Sequence, residues 1–308
     1  MIEALRRKSS GSKFVVDKRN IQIKNSWVKI VDPSQEEISS IAETFNLDKD
    51  LMLDGLDVYE VPRVEEFDGK LYLFLRVPNI KENQYTSSML LILTREGVFT
   101  ISKDELPFYD AVLNDKKILT TKSTNFLLNL LSLAYKQYSL EIRNSIKTVN
   151  KERRQFSKLG NKDIIYLIKQ EDLLNDFMFS LGPLIDVHKQ LSKFRRIKFE
   201  ESEKEMIEDL VVDLDQASVN CRSTLKNISN MRVYYSTTLS NNLNKTIGLL
   251  TIFTIFLTIP TLLSSIYGMN IPLPYQNSEN VLYWLLGIVF LSYIFLIYLM
   301  RKFRILGD

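Results

Sequence analysis

The rhythm of hydrophobic and polar positions changes twice along this chain. Up to about residue 120, apolar residues alternate or cluster in short runs: "WVKIV" (27–31), "KLYLFLRV" (70–77), "SSMLLIL" (87–93) and "GVFTIS" (97–102). Period-two spacing rich in β-branched and aromatic residues predicts strands. "PSQEEISSIAETF" (33–45), with Pro33 near its start, and "ELPFYDAVL" (105–113) predict helices. Asp68-Gly69 in "EFDGKLY" is a turn signal. The pattern predicts a mixed domain of strands and helices over 1–120.

From about Ser123 the apolar spacing lengthens to three and four. One helix is expected from there to Gly160, and a second from about Asp163 to Arg196, kinked at Gly182-Pro183 because proline removes an intrahelical hydrogen bond. The third has no proline from Glu200 to Ile259 and only one glycine, Gly248. Its apolar positions, Ile207, Leu210, Leu214, Ala217, Cys221, Leu225, Ile228 and Tyr235, step in a coiled-coil-like way. At 1.5 Å per residue, ~60 residues make a rod of roughly 90 Å. This rod runs without a break signal into the next region and offers a surface for self-assembly.

The second change comes near Thr246. From there to Met300 the only charged residue is Glu279. Two runs, "TIGLLTIFTIFLTIPTLLSSIYG" and "VLYWLLGIVFLSYIFLIYLM", each have about the 20 residues needed to cross a bilayer core. Lys245 precedes the first and "RKFR" (Arg301 to Arg304) follows the second, while the loop between has neither Lys nor Arg. Positive residues stay inside, so both termini are expected in the cytoplasm and the short loop outside. Tyr283 and Trp284 fit an interfacial aromatic belt. The domains expected are 1–120 (cytoplasmic α/β), 121–243 (long-helix stalk) and 244–308 (membrane). The last divides into spans at about 244–266 and 281–300, an outer loop at 267–280 and a tail at 301–308.

Composition narrows the function. The 40 basic and 37 acidic residues nearly cancel, which disfavours nucleic acid as a partner. One cysteine, Cys221, rules out an intramolecular disulfide framework, and one histidine, His188, rules out a multi-histidine metal centre. No glycine-rich phosphate loop and no nucleophile–base motif is present, so an enzyme is not expected.

The first span carries Thr251, Thr254, Thr258, Thr261 and Ser265 on one helical face. Such a stripe should avoid lipid. Threonines bonding back to their own helix while packing on a neighbour fit it, and so does an aqueous path among several copies. Two spans cannot enclose a pore, so the second reading requires a cyclic homo-oligomer.

The stripe ends in Tyr267-Gly268-Met269-Asn270, which resembles the signature of the CorA family of divalent-cation channels. "YYSTTLSNNLN" (234–244), "LTIFTIFLTIPTLLSSIYGMN" (250–270) and "GLDVYEVPRVEEFDGKLYLFLRV" (55–77) resemble further segments of that family, in the same order. The resemblance implies an α+β cytoplasmic domain, a long helical stalk and two C-terminal membrane helices in a funnel-shaped homopentamer in the cell (inner) membrane. It implies magnesium influx, gated by cytoplasmic magnesium, with cobalt or nickel as further cations. Gly268, Met269 and Asn270 would form the selectivity filter, and Asn244, Ile247, Leu250, Thr258 and Thr261 would line the pore. Neutral Asn270 oxygens suit magnesium, which dehydrates reluctantly. Ile247 and Leu250 would make an apolar constriction that gates by dewetting. Ile247 and Thr258 stand where many members carry methionine, and "IPLPYQ" (271–276) lacks the acidic residues common after the signature. Counting back from Asn244 without a gap, Asp209 falls where the family places an interfacial magnesium ligand. Asp213 lies one turn on, and Glu82 is the candidate second acid. The alternatives are a zinc, cobalt or nickel transporter of the same fold, against which Met269 speaks for zinc, and a membrane-anchored scaffold.

Overall fold

The computed structural model describes residues 1–17, 24–81, 84–154, 161–191, 194, 197–275 and 278–302. Seven strands form one sheet: β1 (Ile2–Arg6), β2 (Val15–Asp17), β3 (Ser26–Val31), β4 (Arg63–Phe67), β5 (Lys70–Lys81), β6 (Gln84–Leu93) and β7 (Gly97–Ser102). Their order is β2-β1-β3-β7-β6-β5-β4, and every neighbouring pair is antiparallel except β3–β7. The β4–β5 hairpin closes through Asp68 and Gly69, both at positive φ (48° and 70°), with Phe67 opposite Lys70. That is the two-residue turn whose twist matches paired strands.

The sheet is covered on both faces, which explains why the central strands β3, β5, β6 and β7 are buried along nearly their whole length rather than alternately. On one face Val28, Ile30, Tyr72, Phe74, Leu90, Ile92, Phe99 and Ile101 meet helices α1 (Gln35–Phe45) and α2 (Lys49–Asp54). Helix α1 starts at Ser34, whose hydroxyl accepts from the Glu37 amide while the Glu37 carboxylate accepts from the Ser34 amide. This reciprocal cap explains the helix start next to Pro33. Glycine at Gly55 is required by packing: an added Cβ would lie 2.5 Å from Leu90 Cβ.

On the other face, Trp27, Leu71, Leu73, Leu75, Met89 and Leu91 share one core with α3 (Phe108–Asn114), α4 (Ser123–Arg154), α5 (Asn161–Leu191) and the first part of α6 (Glu201–Tyr267). The start expected for α4 is observed. The stop expected at Gly160 lies outside the described residues, and α5 continues through Pro183. Arg76 ties this layer to the sheet: its guanidinium donates to Thr86 Oγ1 (2.7 and 3.0 Å), and Tyr138 donates to its carbonyl (3.0 Å).

Helix α6 is a single element of 67 residues, as the missing break signal predicts. Its apolar seam is used differently from the expectation. Ile207, Leu210, Leu214, Ala217, Cys221 and Ile228 are buried inside the chain, so they are not a free assembly surface. The physical reason is that α4 and α5 supply the apolar partners a coiled coil would otherwise take from a second chain. The Cys221 thiol donates to the Leu174 carbonyl of α5 (3.1 Å), and burial pushes its pKa up to about 12.

By packing, the chain divides into two compact units, Met1–Met231 and Arg232–Asp308. The second holds the rest of α6 and α7 (Val281–Lys302).

Candidate functional site

Within Arg232–Asp308, helices α6 and α7 form a hairpin. The half-buried positions of α6, Gly248, Ile252, Phe256, Ile259, Pro260, Leu263 and Tyr267, fall on one face, as do Val281, Leu285, Val289, Ser292, Tyr293 and Leu296 on α7. The two faces are joined where the Phe256 and Tyr293 rings lie 4.6 Å apart. Both helices contain stretches long and apolar enough to cross a membrane, and none of either stretch is buried in the chain. Leu250, Phe253, Leu257, Leu262, Trp284, Leu286, Phe290 and Phe295 are all more than half exposed. An apolar surface of this extent needs lipid or further protein around it.

The hydroxyl stripe lies on the opposite side of α6 from α7. At 3.6 residues per turn, Thr251, Thr254, Thr258, Thr261 and Ser265 share a face with Asn244, Ile247 and Leu250, and all eight are exposed. The resemblance proposes Asn244, Ile247, Leu250, Thr258 and Thr261 for one pathway, and the fold leaves that face uncovered. Each threonine hydroxyl donates to the carbonyl four residues earlier: Thr251 to Ile247 (2.9 Å), Thr254 to Leu250 (2.9 Å), Thr258 to Thr254 (2.8 Å) and Thr261 to Leu257 (2.7 Å). The hydroxyl hydrogen is spent on the helix, and the oxygen keeps accepting capacity outward.

Helix α6 ends at Tyr267, followed by Gly268, Met269 and Asn270. The Gly268 amide donates to the Ser264 carbonyl (2.9 Å) and the Met269 amide to that of Ile266 (3.2 Å). Gly268 is not in the left-handed region; its small size matters because an added Cβ would come within 3.1 Å of the Ser264 carbonyl oxygen. Met269 and Asn270 are exposed beyond this turn. Tyr267 Oη reaches the Pro274 carbonyl (3.4 Å), so the following loop folds back on the helix end. Glu279 is exposed in that loop.

Asp209 and Asp213 are exposed on α6, one turn apart. Asp213 lines a cavity of about 230 Å³ with Ser139, Arg143, Gln216 and Asn220. Among the described residues no group of three His, Cys, Asp or Glu side chains is placed to hold a metal ion. Glu82 lies outside the described residues; its neighbour Lys81 pairs with Asp104 (2.6 Å). The start of α6 carries an interaction that sequence reasoning missed. Buried Glu203 accepts from Thr124 Oγ1 (2.6 Å), the Glu200 amide (2.9 Å) and Lys122 Nζ (2.8 Å). Burial works against its charge, but Lys122, Thr124 and the Glu200 amide outweigh it and hold the carboxyl below its ordinary range. The sequence signal is a glutamate three residues after Glu200, the residue that precedes the helix.

His188 is fully buried, with Nδ1 2.7 Å from the Leu184 carbonyl and its ring against Tyr135. Burial lowers its pKa to about 4, so it is neutral near pH 7.

The fold is that of a membrane protein in which one helix runs from a sheet-containing domain into an exposed apolar hairpin. A family model described as CorA-like Mg2+ transporter protein matches residues 24–302. The cobalt/magnesium transport protein CorA of Methanocaldococcus jannaschii is 21% identical over 311 residues, covering 90% of each chain. The magnesium transport protein CorA of Wolinella succinogenes is 22% identical over 260 residues, covering 79% of each. The complete structure of the M. jannaschii CorA magnesium transporter superposes with a TM-score of 0.83 at 18% identity, over 98% of both chains. This chain belongs to the CorA family.

Proposed function

We propose that the chain is the subunit of a homopentameric channel for magnesium, open also to cobalt and nickel, that lies in the cell (inner) membrane with both termini in the cytoplasm. The observation that carries this reading is the exposed polar face of α6, opposite α7 and ending at Gly268-Met269-Asn270, in a chain of the CorA family. Five such faces enclose a path whose wall accepts hydrogen bonds. A hydrated divalent cation presents water hydrogens outward, so Asn270 amide oxygens and Thr258 and Thr261 hydroxyl oxygens hold its shell without stripping it. Gly268 and Met269 shape the mouth, Asn244 lies at the inner end, and Ile247 and Leu250 form the apolar constriction. The membrane potential drives entry with about 4.6 kcal/mol per divalent ion at 100 mV.

Cytoplasmic magnesium closes the channel by bridging Asp209, with Asp213 nearby, to an acidic group of a neighbouring subunit; Glu82 is the candidate. The bound ion offsets repulsion between acidic helices and favours the closed state by its tighter binding there. Five sites, each occupied at a hundred times its dissociation constant, contribute about 2.7 kcal/mol apiece.

The test is metal flux into liposomes carrying the purified protein, with oligomeric mass measured in detergent. Asn270→Ala should keep the pentamer and abolish selective magnesium flux. A monomeric or dimeric mass, or unchanged flux and selectivity in the variant, would sink the assignment.

A further inference from the structure

We infer that Tyr293 of α7 is a positioning residue for the proposed pore helix, repairing the hydrogen-bond ladder that Pro260 breaks. The inference rests on the reading that α6 lines the path. In a regular helix the amide of residue 260 would donate to the carbonyl of Phe256. Proline has no amide hydrogen, and its ring pushes that carbonyl outward. Yet α6 continues through Pro260 to Tyr267. The Tyr293 hydroxyl donates to the Phe256 carbonyl at 2.7 Å, and its ring lies on the Phe256 ring, 4.6 Å between centroids and 33° between planes.

The next carbonyl is also supported: Thr261 Oγ1 donates to Leu257 at 2.7 Å. The two hydroxyls therefore brace the break from opposite sides, Tyr293 from α7 and Thr261 from the exposed stripe. On the side of α6 that faces α7, away from the proposed path, the freed Phe256 carbonyl must find its donor within the protein, and the neighbouring helix supplies it. The break lies between Thr258 and Thr261. Any change in how α7 holds Phe256 therefore alters the angle between the outer turn, which carries Asn270, and the inner turns, which carry Ile247 and Leu250. This gives α7 a specific task beyond spanning the membrane: it holds the helix beside it at the turn where proline removes a bond.

The inference predicts a particular non-additivity. Pro260→Ala restores the amide donor, so it should make the Tyr293 hydroxyl dispensable. Tyr293→Phe keeps the ring and removes only the donor. In the parent, Y293F should lower magnesium flux by about threefold to tenfold, the rate equivalent of one hydrogen bond between membrane helices. It should also lower the melting temperature of the purified oligomer. In the P260A background, Y293F should change neither. An equal effect of Y293F in both backgrounds would overturn the inference. Coupling in melting with flux untouched would overturn the positioning role. Absence of flux in the parent would count against the channel reading, while the melting cycle would still decide the clamp. Should P260A not assemble, infrared difference spectra of protein carrying carbonyl-¹³C phenylalanine decide instead. Y293F should move one labelled carbonyl to higher wavenumber, and an unmoved spectrum would refute the hydrogen bond.

Discussion

Between Glu201 and Met231, α6 buries Ile207, Leu210, Leu214, Ala217, Cys221 and Ile228 within its own chain, while between Arg232 and Tyr267 it buries nothing. The second stretch is the more apolar of the two. Both belong to one uninterrupted helix, so propensity does not distinguish them. The difference lies in what surrounds each stretch. α4, α5 and the sheet supply apolar neighbours to the first, whereas α7 covers a single face of the second. Burial inside the chain makes residues serve stability. Exposure of an apolar helix makes them serve a surrounding medium, an assembly or a passing ligand.

Substitutions that move the two stretches apart test this contrast. The largest effect is expected for Leu214→Ala, which removes about 2–5 kcal/mol by leaving a cavity in a filled core. Leu250→Ala should leave the melting of the purified chain nearly unchanged and raise ion leak, since it widens the proposed constriction. Paired denaturation and flux measurements check both, and a stability loss at Leu250 matching that at Leu214 would erase the distinction.

Next in size is the pH response of the buried region. His188 is held at about 4, below its ordinary value of 6.5. The unfolded chain takes up a proton that the folded chain refuses, so stability is full above pH 6.5 and is lost as pH falls toward 4. The loss is on the order of 3 kcal/mol. Equilibrium denaturation from pH 7 to 4 should show this slope, and His188→Leu should flatten it.

Glycines sharpen the comparison further. Gly55→Ala forces a methyl group against Leu90 and should cost about 1–3 kcal/mol. Gly248 has no atom near an added Cβ in this chain. Gly248→Ala should therefore stabilise the helix by up to about 1 kcal/mol. If melting of the oligomer falls instead, a neighbouring subunit packs at Gly248. The smallest stability effect is expected at exposed Asp209. Asp209→Asn should stay within about 0.5 kcal/mol of the parent, yet weaken inhibition by internal magnesium in patch recordings. Closure at the parental concentration would make Asp209 ordinary surface acid.

The legible parts of the fold were those whose signal is local and repeated. The unbroken spacing from Glu200 onward anticipates α6, and the long runs at 70–77 and 87–93 anticipate β5 and β6. β1 and β4 give no clear strand signal because "IEALR" and "RVEEF" interrupt their apolar residues with charge, as strands near the sheet's margin can. α2 is six residues long, too short to show a period. The seam of α6 was read correctly as apolar, but spacing alone does not say whose side chains fill it. At the candidate site, Gly268, Met269 and Asn270 were singled out by resemblance, and the hydroxyl stripe by spacing. The bond from Tyr293 to Phe256 was invisible because it joins residues 37 apart through one phenol. Pro260 marked the place where a donor would be needed without saying which residue supplies it.

The back-bonded threonines have one more consequence. A free hydroxyl turns to suit whatever approaches, offering hydrogen to an anion or oxygen to a cation, and each turn dissipates energy. The hydroxyls at Thr251, Thr254, Thr258 and Thr261 are locked onto their own helix. Their dipoles are set by the helix itself, so in the proposed pore the wall would need no rearrangement as an ion passes. A lining of this kind is a fixed electrical landscape with low friction. In the proposed pore it would discriminate by the sign of charge and favour throughput over tight binding.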